Sequence, residues 1–439
     1  VDACVKETGK IAKTWLSLAC EAKKIPDDQP VAAEEILAGP ATLVRYLQLL
    51  SNSLGDFQKS GKPQLPGKPY RNLLGRRCVP ILPVRSLFDN IIFRGIQAEV
   101  WLDSVSEGQP IFANPLNGVG EKSAGVAAVL GAGNVSSIPA TDMLYKIFHD
   151  NETVILKLNP VNDYLEPVFK NAIGPLIDAH LLRIVCGDGE VGSVLVNHPN
   201  IDSIHITGSH HTHDTIVWGT DPEERLGRQR DGKPVIAKTI TSELGNVSPW
   251  ILVPGQYSKR QLHSQANHIV ASIVNNASFN CLATKMIVTS KAWAQRTEFL
   301  DLVSAQLRLV PRRFAYYPGA IERYEHATGR PAPEGSDDTL PWTLIRDANP
   351  KHDPQLFKDE SFVGVCEDTA LDEANDISFL ESAVKFANEE LFGTLCASIT
   401  VTNQFRKHRQ SELESAIANL RYGSVCINQW SGVVYGLMT

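Results

Sequence analysis

One cysteine stands out by its setting. In NNASFNCLATKMIVTS (275–290), Cys281 sits between a polar run and an apolar, β-rich run. A thiol there is either a small hydrophobic filler or a nucleophile, and free cysteines are more often inert packing. The thiolate is the reactive form, and with a pKa of about 8.5 only a few per cent exists at neutral pH. A tetrahedral adduct on sulfur also needs a donor for its oxyanion. Any later hydrolysis needs a base. Three stretches supply candidates. In LGAGNVSSIP (130–139), Asn134 follows a glycine-flexible turn, where its amide either points into a cleft or satisfies its own backbone. In TSELGNVSP (241–249), Glu243 lies among small and apolar neighbours. Partial desolvation there would raise its pKa toward that of a base, while an ordinary strand-end glutamate would sit in water. In ITGSHHTHD (206–214), Gly208 and Ser209 end a strand and open a helix, leaving backbone N–H groups free for a phosphate. His210, His211 and His213 invite a zinc reading. They lie within four residues at a helix start with no evident fourth ligand, so a loop or cap role is expected and no metal is assigned.

These residues must be positioned by the elements around them. The first hundred residues read as helical: ATLVRYLQLLSNSLGDF (41–57) has apolar residues at three- and four-residue spacing, and FRGIQAEVWL (93–102) resumes it after a Pro/Gly-rich loop at 60–69. After residue 123 short apolar runs alternate with helical ones. Strands are expected at 125–130, 153–160, 181–187 and 201–209, with helices at 142–151, 163–177 and 191–199. That alternation signals a parallel sheet with crossover helices, and ligands at the carboxyl ends of its strands. The charged stretch TDPEERLGRQRDGK (220–233) reads as a surface insertion. A long helix (260–278) runs into Cys281, and a second alternating block follows, with strands at 285–290, 397–402 and 423–428.

Composition bounds the class. The 439 residues favour two domains, and 43% hydrophobic with 21% charged residues is ordinary globular material. A net charge of -7 and a pI of about 6.0 disfavour nucleic acid and anionic membranes, and the basic piece KPYRNLLGRR (68–77) reads as a solvated face. The eight cysteines, at 4, 20, 78, 186, 281, 366, 396 and 426, form no C-x-x-C pair, which suggests a reducing, cytoplasmic setting. No apolar run is long enough to span a bilayer, and no signal peptide opens the sequence.

The ordered pieces from about residue 120 to 430 resemble the aldehyde dehydrogenase superfamily. GN at 133–134 resembles the turn carrying that family's oxyanion asparagine. VILKLNP resembles VVLKPSE, HITGS resembles FTGS, and SELGNVSP resembles ELGGKSP. NNASFNC resembles NxGQxC, KDESFVGV (358–365) resembles EEIFGPV, FANEELFGTL resembles ANxxxYGL, and YGSVCIN resembles GxVxVN. The resemblance implies two α/β domains with parallel sheets, a Rossmann-like cofactor domain and a catalytic domain, plus a small oligomerisation element. It implies N-terminal helices and the dinucleotide-binding domain in 1–244, the cysteine domain in 245–420, and a return segment in 421–439.

The same resemblance implies the chemistry. Cys281 would attack an aldehyde, with Asn134 and the Cys281 backbone N–H holding the oxyanion. A hydride would pass to nicotinamide, and Glu243 would activate water against the thioester. Lys157 would bind the adenosine ribose, Gly208 and Ser209 the pyrophosphate, Glu360 the nicotinamide ribose, and Phe362 would pack on the ring. The cofactor would be NAD or NADP: Pro160 stands where NAD-specific members often carry Glu, leaving no carboxylate there to repel a 2′-phosphate. Gly133, His213 and NVSP are further departures, and the family's segment after Asn428 is largely missing. The implied partners are a small-molecule aldehyde and a homodimeric or homotetrameric assembly. Two rivals stand beside this: transfer of the acyl group to coenzyme A, and a non-catalytic homologue used as a scaffold.

Overall fold

Strands written almost wholly in apolar residues belong in sheets covered on both faces. The computed structural model, which describes residues 1–82, 90–91, 93–102, 125–333 and 338–437, contains two such sheets and one small antiparallel one. The small sheet comprises β1 (Tyr70–Arg71), β2 (Arg77–Leu82) and β3 (Ala98–Leu102). Residues 93–102 are therefore not helical. Gly95 has φ +83°, and Ile96, Ala98, Val100 and Leu102 alternate with polar or bulky neighbours at the two-residue period of a strand.

The second sheet contains β4 (Val126–Leu130), β5 (Thr153–Lys157), β6 (Leu182–Val185), β7 (Ser203–Gly208) and β8 (Thr239–Leu244). All its pairs are parallel, in the order β6-β5-β4-β7-β8. The chain winds outward from β4 in one direction and then returns to wind in the other. A crevice opens where the winding reverses, outside the carboxyl ends of β4 and β7. The third sheet contains β9 (Pro249–Leu252), β10 (Met286–Ser290), β11 (Thr343–Ile345), β12 (Val365–Leu371), β13 (Cys396–Thr400) and β14 (Ser424–Ile427). It too is parallel, in the order β11-β12-β10-β9-β13-β14. Residues 421–437 thus contribute a strand to this sheet before turning back: the Tyr435 hydroxyl lies 2.8 Å from Ser137 Oγ, and Arg45 Nε donates to the Leu437 carbonyl at 3.1 Å.

The helices packed around these sheets include α1 (Asp2–Ala22), α2 (Pro40–Ser60), α3 (Ile138–Phe148), α4 (His210–Trp218) and α5 (Lys259–Val274), and α4 lines the crevice. α1 buries Cys4, Thr8, Trp15 and Ala19, a stripe at helical spacing, in the core that covers the second sheet. The charged stretch at 220–233 is on the surface but is a helix, Pro222–Asp231, with no buried residue. Asp221 caps its first N–H groups and Gly232 ends it at φ +64°.

The N-terminal helices are fastened to both large sheets by one ammonium group. Lys23 Nζ donates to both Glu35 carboxylate oxygens at 2.8 and 2.9 Å, to the Asn134 carbonyl at 3.2 Å and to Asn276 Oδ1 at 2.9 Å. Both members of the ion pair are buried. Removing one partner strands the other as an uncompensated charge. Lys23→Met should cost about 3–5 kcal/mol, read as the free-energy loss in urea unfolding. A loss below about 1 kcal/mol, the level of a surface pair, would show that the site turns do not depend on it.

Candidate active site

The eight residues singled out in the sequence all line one cavity of about 1050 Å³: Asn134, Lys157, Gly208, Ser209, Glu243, Cys281, Glu360 and Phe362. The volume is at the upper end for ligand pockets. The wall is built from the carboxyl ends of β4, β5, β7 and β8 on one side. The loops before β10 and β12 form the other.

Cys281 follows a distorted turn. Asn276, Ala277 and Ser278 have φ of +52°, +54° and +67°, three left-handed residues in succession without a glycine. Such backbone costs roughly 1–2 kcal/mol per residue and persists only where contacts over-determine it. Asn276 supplies them. Its amide donates to the Asn134 carbonyl at 3.0 Å and the Phe279 carbonyl at 2.8 Å. Its Oδ1 accepts from Lys23 and from the Tyr316 hydroxyl, at 2.9 and 3.0 Å. Its backbone N–H donates to Glu34 Oε2 at 2.9 Å. On the other side, Ser248 Oγ donates to the Cys281 carbonyl at 3.1 Å and is itself held by Asn246 Nδ2 at 2.7 Å. The NVSP departure therefore supplies Asn246, which holds the serine that seats the cysteine.

Asn134 is buried, and one N–H of its amide donates to the Phe279 carbonyl at 3.1 Å. Among the described residues the second N–H has no partner within the chain, so it remains available to a ligand. Gly133 is required beside it: a Cβ there would meet Asn159 Cγ at 2.7 Å and the Tyr317 hydroxyl at 2.9 Å. Glu243 pairs with Thr207 across β7 and β8. Its carboxyl reaches the water of the cleft, yet crowding by protein pushes its pKa up, with the Asp142 charge adding to this and His205 opposing it.

Burial raises the Cys281 thiol well above its ordinary value, and the charges of Glu243 and Glu360 add to that. The resting group is a neutral thiol. Burial likewise pushes Glu360 up to about 7, with the Lys285 ammonium pulling it back. The Glu360 side chain occupies the space a Cβ on residue 245 would fill, so Gly245 is part of this wall.

Lys157 is buried at the other end of the cleft. Burial lowers its pKa, while Asp163 and Asp188 oppose the shift. Ser209 caps α4, accepting from the Thr212 N–H at 3.2 Å, and a Cβ at Gly208 would touch only Ile206, at 3.8 Å. That end of the helix stands open for an anion. Glu360 Oε1 and Arg323 Nε and Nη2 are buried without hydrogen-bond partners in a structure whose cleft they line. A dinucleotide fits this pattern, because ribose hydroxyls and phosphate oxygens would satisfy an orphaned acceptor and orphaned donors. The Arg323 guanidinium also lies 5.7 Å from the Tyr317 ring and 5.8 Å from the Phe362 ring.

Sequence patterns did not expose Lys23, Arg323 or Tyr317, which reach the site through packing from distant segments, nor the role of Asn276 within the NNASFNC stretch itself. The three histidines part company in the fold. His213 Nδ1 turns to Asp214 at 3.0 Å, while His210 and His211 face Asp359.

Residues 119–311 match the aldehyde dehydrogenase family. No curated protein sequence matches the chain at a significant level. Among solved structures, a lactaldehyde dehydrogenase is similar over 98% of this chain and 77% of its own, at 18% identity and a TM-score of 0.63. Betaine aldehyde dehydrogenase from Staphylococcus aureus, solved with NAD+, is similar over 98% and 74% of the two chains, at 11% identity and a TM-score of 0.63. An NAD-dependent aldehyde dehydrogenase from Sinorhizobium meliloti is similar over 98% and 75%, at 16% identity and a TM-score of 0.59. The structural matches establish the fold. The sequence match is confined to residues 119–311, and over nearly the whole chain the fold is the one these aldehyde dehydrogenases share.

The raised thiol gives a direct test. The thiolate fraction, and with it the rate of Cys281 alkylation by iodoacetamide, should climb about tenfold per pH unit from pH 7 to 9 without levelling. Mass spectrometry of the alkylated peptide reads this. A plateau below pH 9 would mean that the cleft does not disfavour the anion.

Proposed function

We propose that the chain oxidises an aldehyde to a carboxylic acid, with a nicotinamide dinucleotide as hydride acceptor and Cys281 as nucleophile. The observation that carries this is convergence. A thiol, a free amide N–H and a carboxylate of raised pKa meet in one cleft from three separate parts of the chain.

In this mechanism Cys281 Sγ, as thiolate, forms a bond to the aldehyde carbon. The carbonyl oxygen becomes an oxyanion, and the spare Asn134 amide N–H and the Cys281 backbone N–H stabilise it. The bound nicotinamide supplies the acceptor for the hydride that leaves as the oxyanion collapses to a thioester. Glu243 then takes a proton from water, and the resulting hydroxide attacks the thioester carbon. The C–S bond breaks, the acid departs and the thiolate returns. A glutamate with a raised pKa is the stronger base for that step. Ser209 and the first N–H groups of α4 would hold the phosphates, Glu360 and Arg323 the nicotinamide ribose side, and Lys157 the adenosine ribose. Phe362 would flank the nicotinamide ring. The Asp188 carboxylate on the wall near Lys157 disfavours a 2′-phosphate, which supports NAD over NADP despite Pro160.

Glu243 in the cleft favours water over coenzyme A as acyl acceptor. The eight cysteines are unpaired, which agrees with a reducing compartment such as the cytoplasm. Among the described residues no helix is long and apolar enough to cross a membrane.

Two variants separate the roles. Cys281→Ala should abolish aldehyde oxidation in a panel assayed with both cofactors, yet leave NAD binding within about twofold by fluorescence titration. Retained turnover would remove the thiol from the mechanism. Glu243→Gln should release a burst of NADH near one equivalent per site and then turn over about a hundredfold more slowly. A steady rate that appears only with added coenzyme A would instead assign the acyl group to a thiol acceptor.

A further inference from the structure

The reaction above makes no use of the histidine pair that opens α4. His210 Nε2 lies 3.9 Å from one carboxylate oxygen of Asp359, and His211 Nε2 lies 3.9 Å from the other. All the candidate ligand atoms of the trio fall within 4.8 Å of one another. These separations exceed hydrogen-bond length, and the trio's side chains make no hydrogen bond to one another or to other described residues. Two nitrogens and a carboxylate therefore face a common gap instead of closing on each other. The two sides of the gap come from different sheets. The histidines follow β7, and Asp359 precedes β12.

We infer that His210, His211 and Asp359 form a binding site for a divalent transition-metal cation of the zinc class. Two imidazoles and a carboxylate are the donor set of open zinc sites, which leave a fourth position for water or another oxygen. Magnesium and calcium prefer all-oxygen shells, so the two nitrogens argue against them. With metal–ligand bonds of about 2.0–2.2 Å, neighbouring ligand atoms in a tetrahedral site stand roughly 3.4 Å apart. The trio is wider than that by a margin that rotation can close. His211 and Asp359 have side chains 68% and 38% exposed and are free to turn. His210 is the fixed member, its ring 4.5 Å from the Phe392 ring and 3.8 Å from that of His211. All three residues line the cleft beside Gly208 and Ser209, so a bound cation would present its open position there. His213, turned to Asp214, is outside the set.

The site depends on no part of the proposed reaction, and its test needs neither aldehyde nor dinucleotide. The full chain is titrated with Co²⁺ as the spectroscopic probe, and with Zn²⁺ by calorimetry. One equivalent should bind, with the visible bands of a nitrogen–oxygen site and no thiolate-to-cobalt charge transfer. His210→Ala, His211→Ala and Asp359→Asn should each weaken binding by at least about tenfold, since even outer-shell groups are worth that much. His213→Ala should leave binding unchanged. His211 is exposed enough for its variant to fold, and circular dichroism checks the others. Binding that survives His211→Ala, a thiolate charge-transfer band, or no stoichiometric uptake would each overturn the inference.

Discussion

The site depends on a charge placed where charges are costly. Lys23 carries its ammonium into the space between the two large sheets and is matched there by Glu35. Burial of an ion pair is weak evidence for stability, because desolvation cancels much of the attraction. What this one supplies is position. Its remaining N–H capacity goes to the Asn134 carbonyl in one sheet's turn and to Asn276 Oδ1 in the other's. Asn276 in turn bonds back to the Asn134 carbonyl, and the Tyr316 hydroxyl closes the ring at 3.1 Å. Neither turn can move without breaking hydrogen bonds in a region water does not reach. A left-handed run of three non-glycine residues survives because the alternative is a buried ammonium without partners.

This constraint explains how Cys281 and Asn134, the proposed nucleophile and oxyanion donor, meet although they come from opposite sheets. A crevice between two parallel sheets collects the carboxyl ends of strands from both. Crowding by protein at its walls, which would strengthen an amide's hold on an oxyanion, also raises the resting thiol and the carboxyls near it. The geometry thus trades readiness of the free thiol for stabilisation of charge that forms during reaction. A cationic ring bound beside Cys281 would reverse the first term, because it would offset Glu243 and Glu360, the two charges that oppose the thiolate.

Much of this was legible in the sequence, for a physical reason. Parallel strands covered on both faces leave continuous apolar runs, so the α/β alternation from 125 onward could be read directly. Residues at strand ends sit in short ordered motifs, so Asn134, Glu243 and Cys281 stand out from their settings, while Lys157 and Glu360 are named only through the resemblance of their motifs to the aldehyde dehydrogenase superfamily. The segment 93–102 was misread because its apolar residues satisfy a three- and four-residue spacing as well as a two-residue one; the antiparallel partner β2 decides between them. The knot around Lys23 left no local trace. Its members lie 111 and 253 residues apart, and nothing in EAKKIP distinguishes Lys23 from Lys24, which is exposed beside Asp338. Asp359 was hidden in the same way, since only the approach of the two sheets brings it to the histidines.

Two departures from the family pattern have a local structural account. At Gly133 the Asn159 and Tyr317 side chains occupy the volume that a larger side chain would need. Tyr317 then stacks on Phe279 and meets Phe362 edge-on, centroids 5.7 and 5.1 Å away, so the filling extends to the ring wall of the cleft. At the other motif, Asn246 and Ser248 exchange a 2.7 Å hydrogen bond and hold the Cys281 carbonyl. In both places the packing or hydrogen bonding of the backbone beside Asn134 and Cys281 is complete, so the turn and the loop that carry these two side chains are held by the wall of the cleft itself.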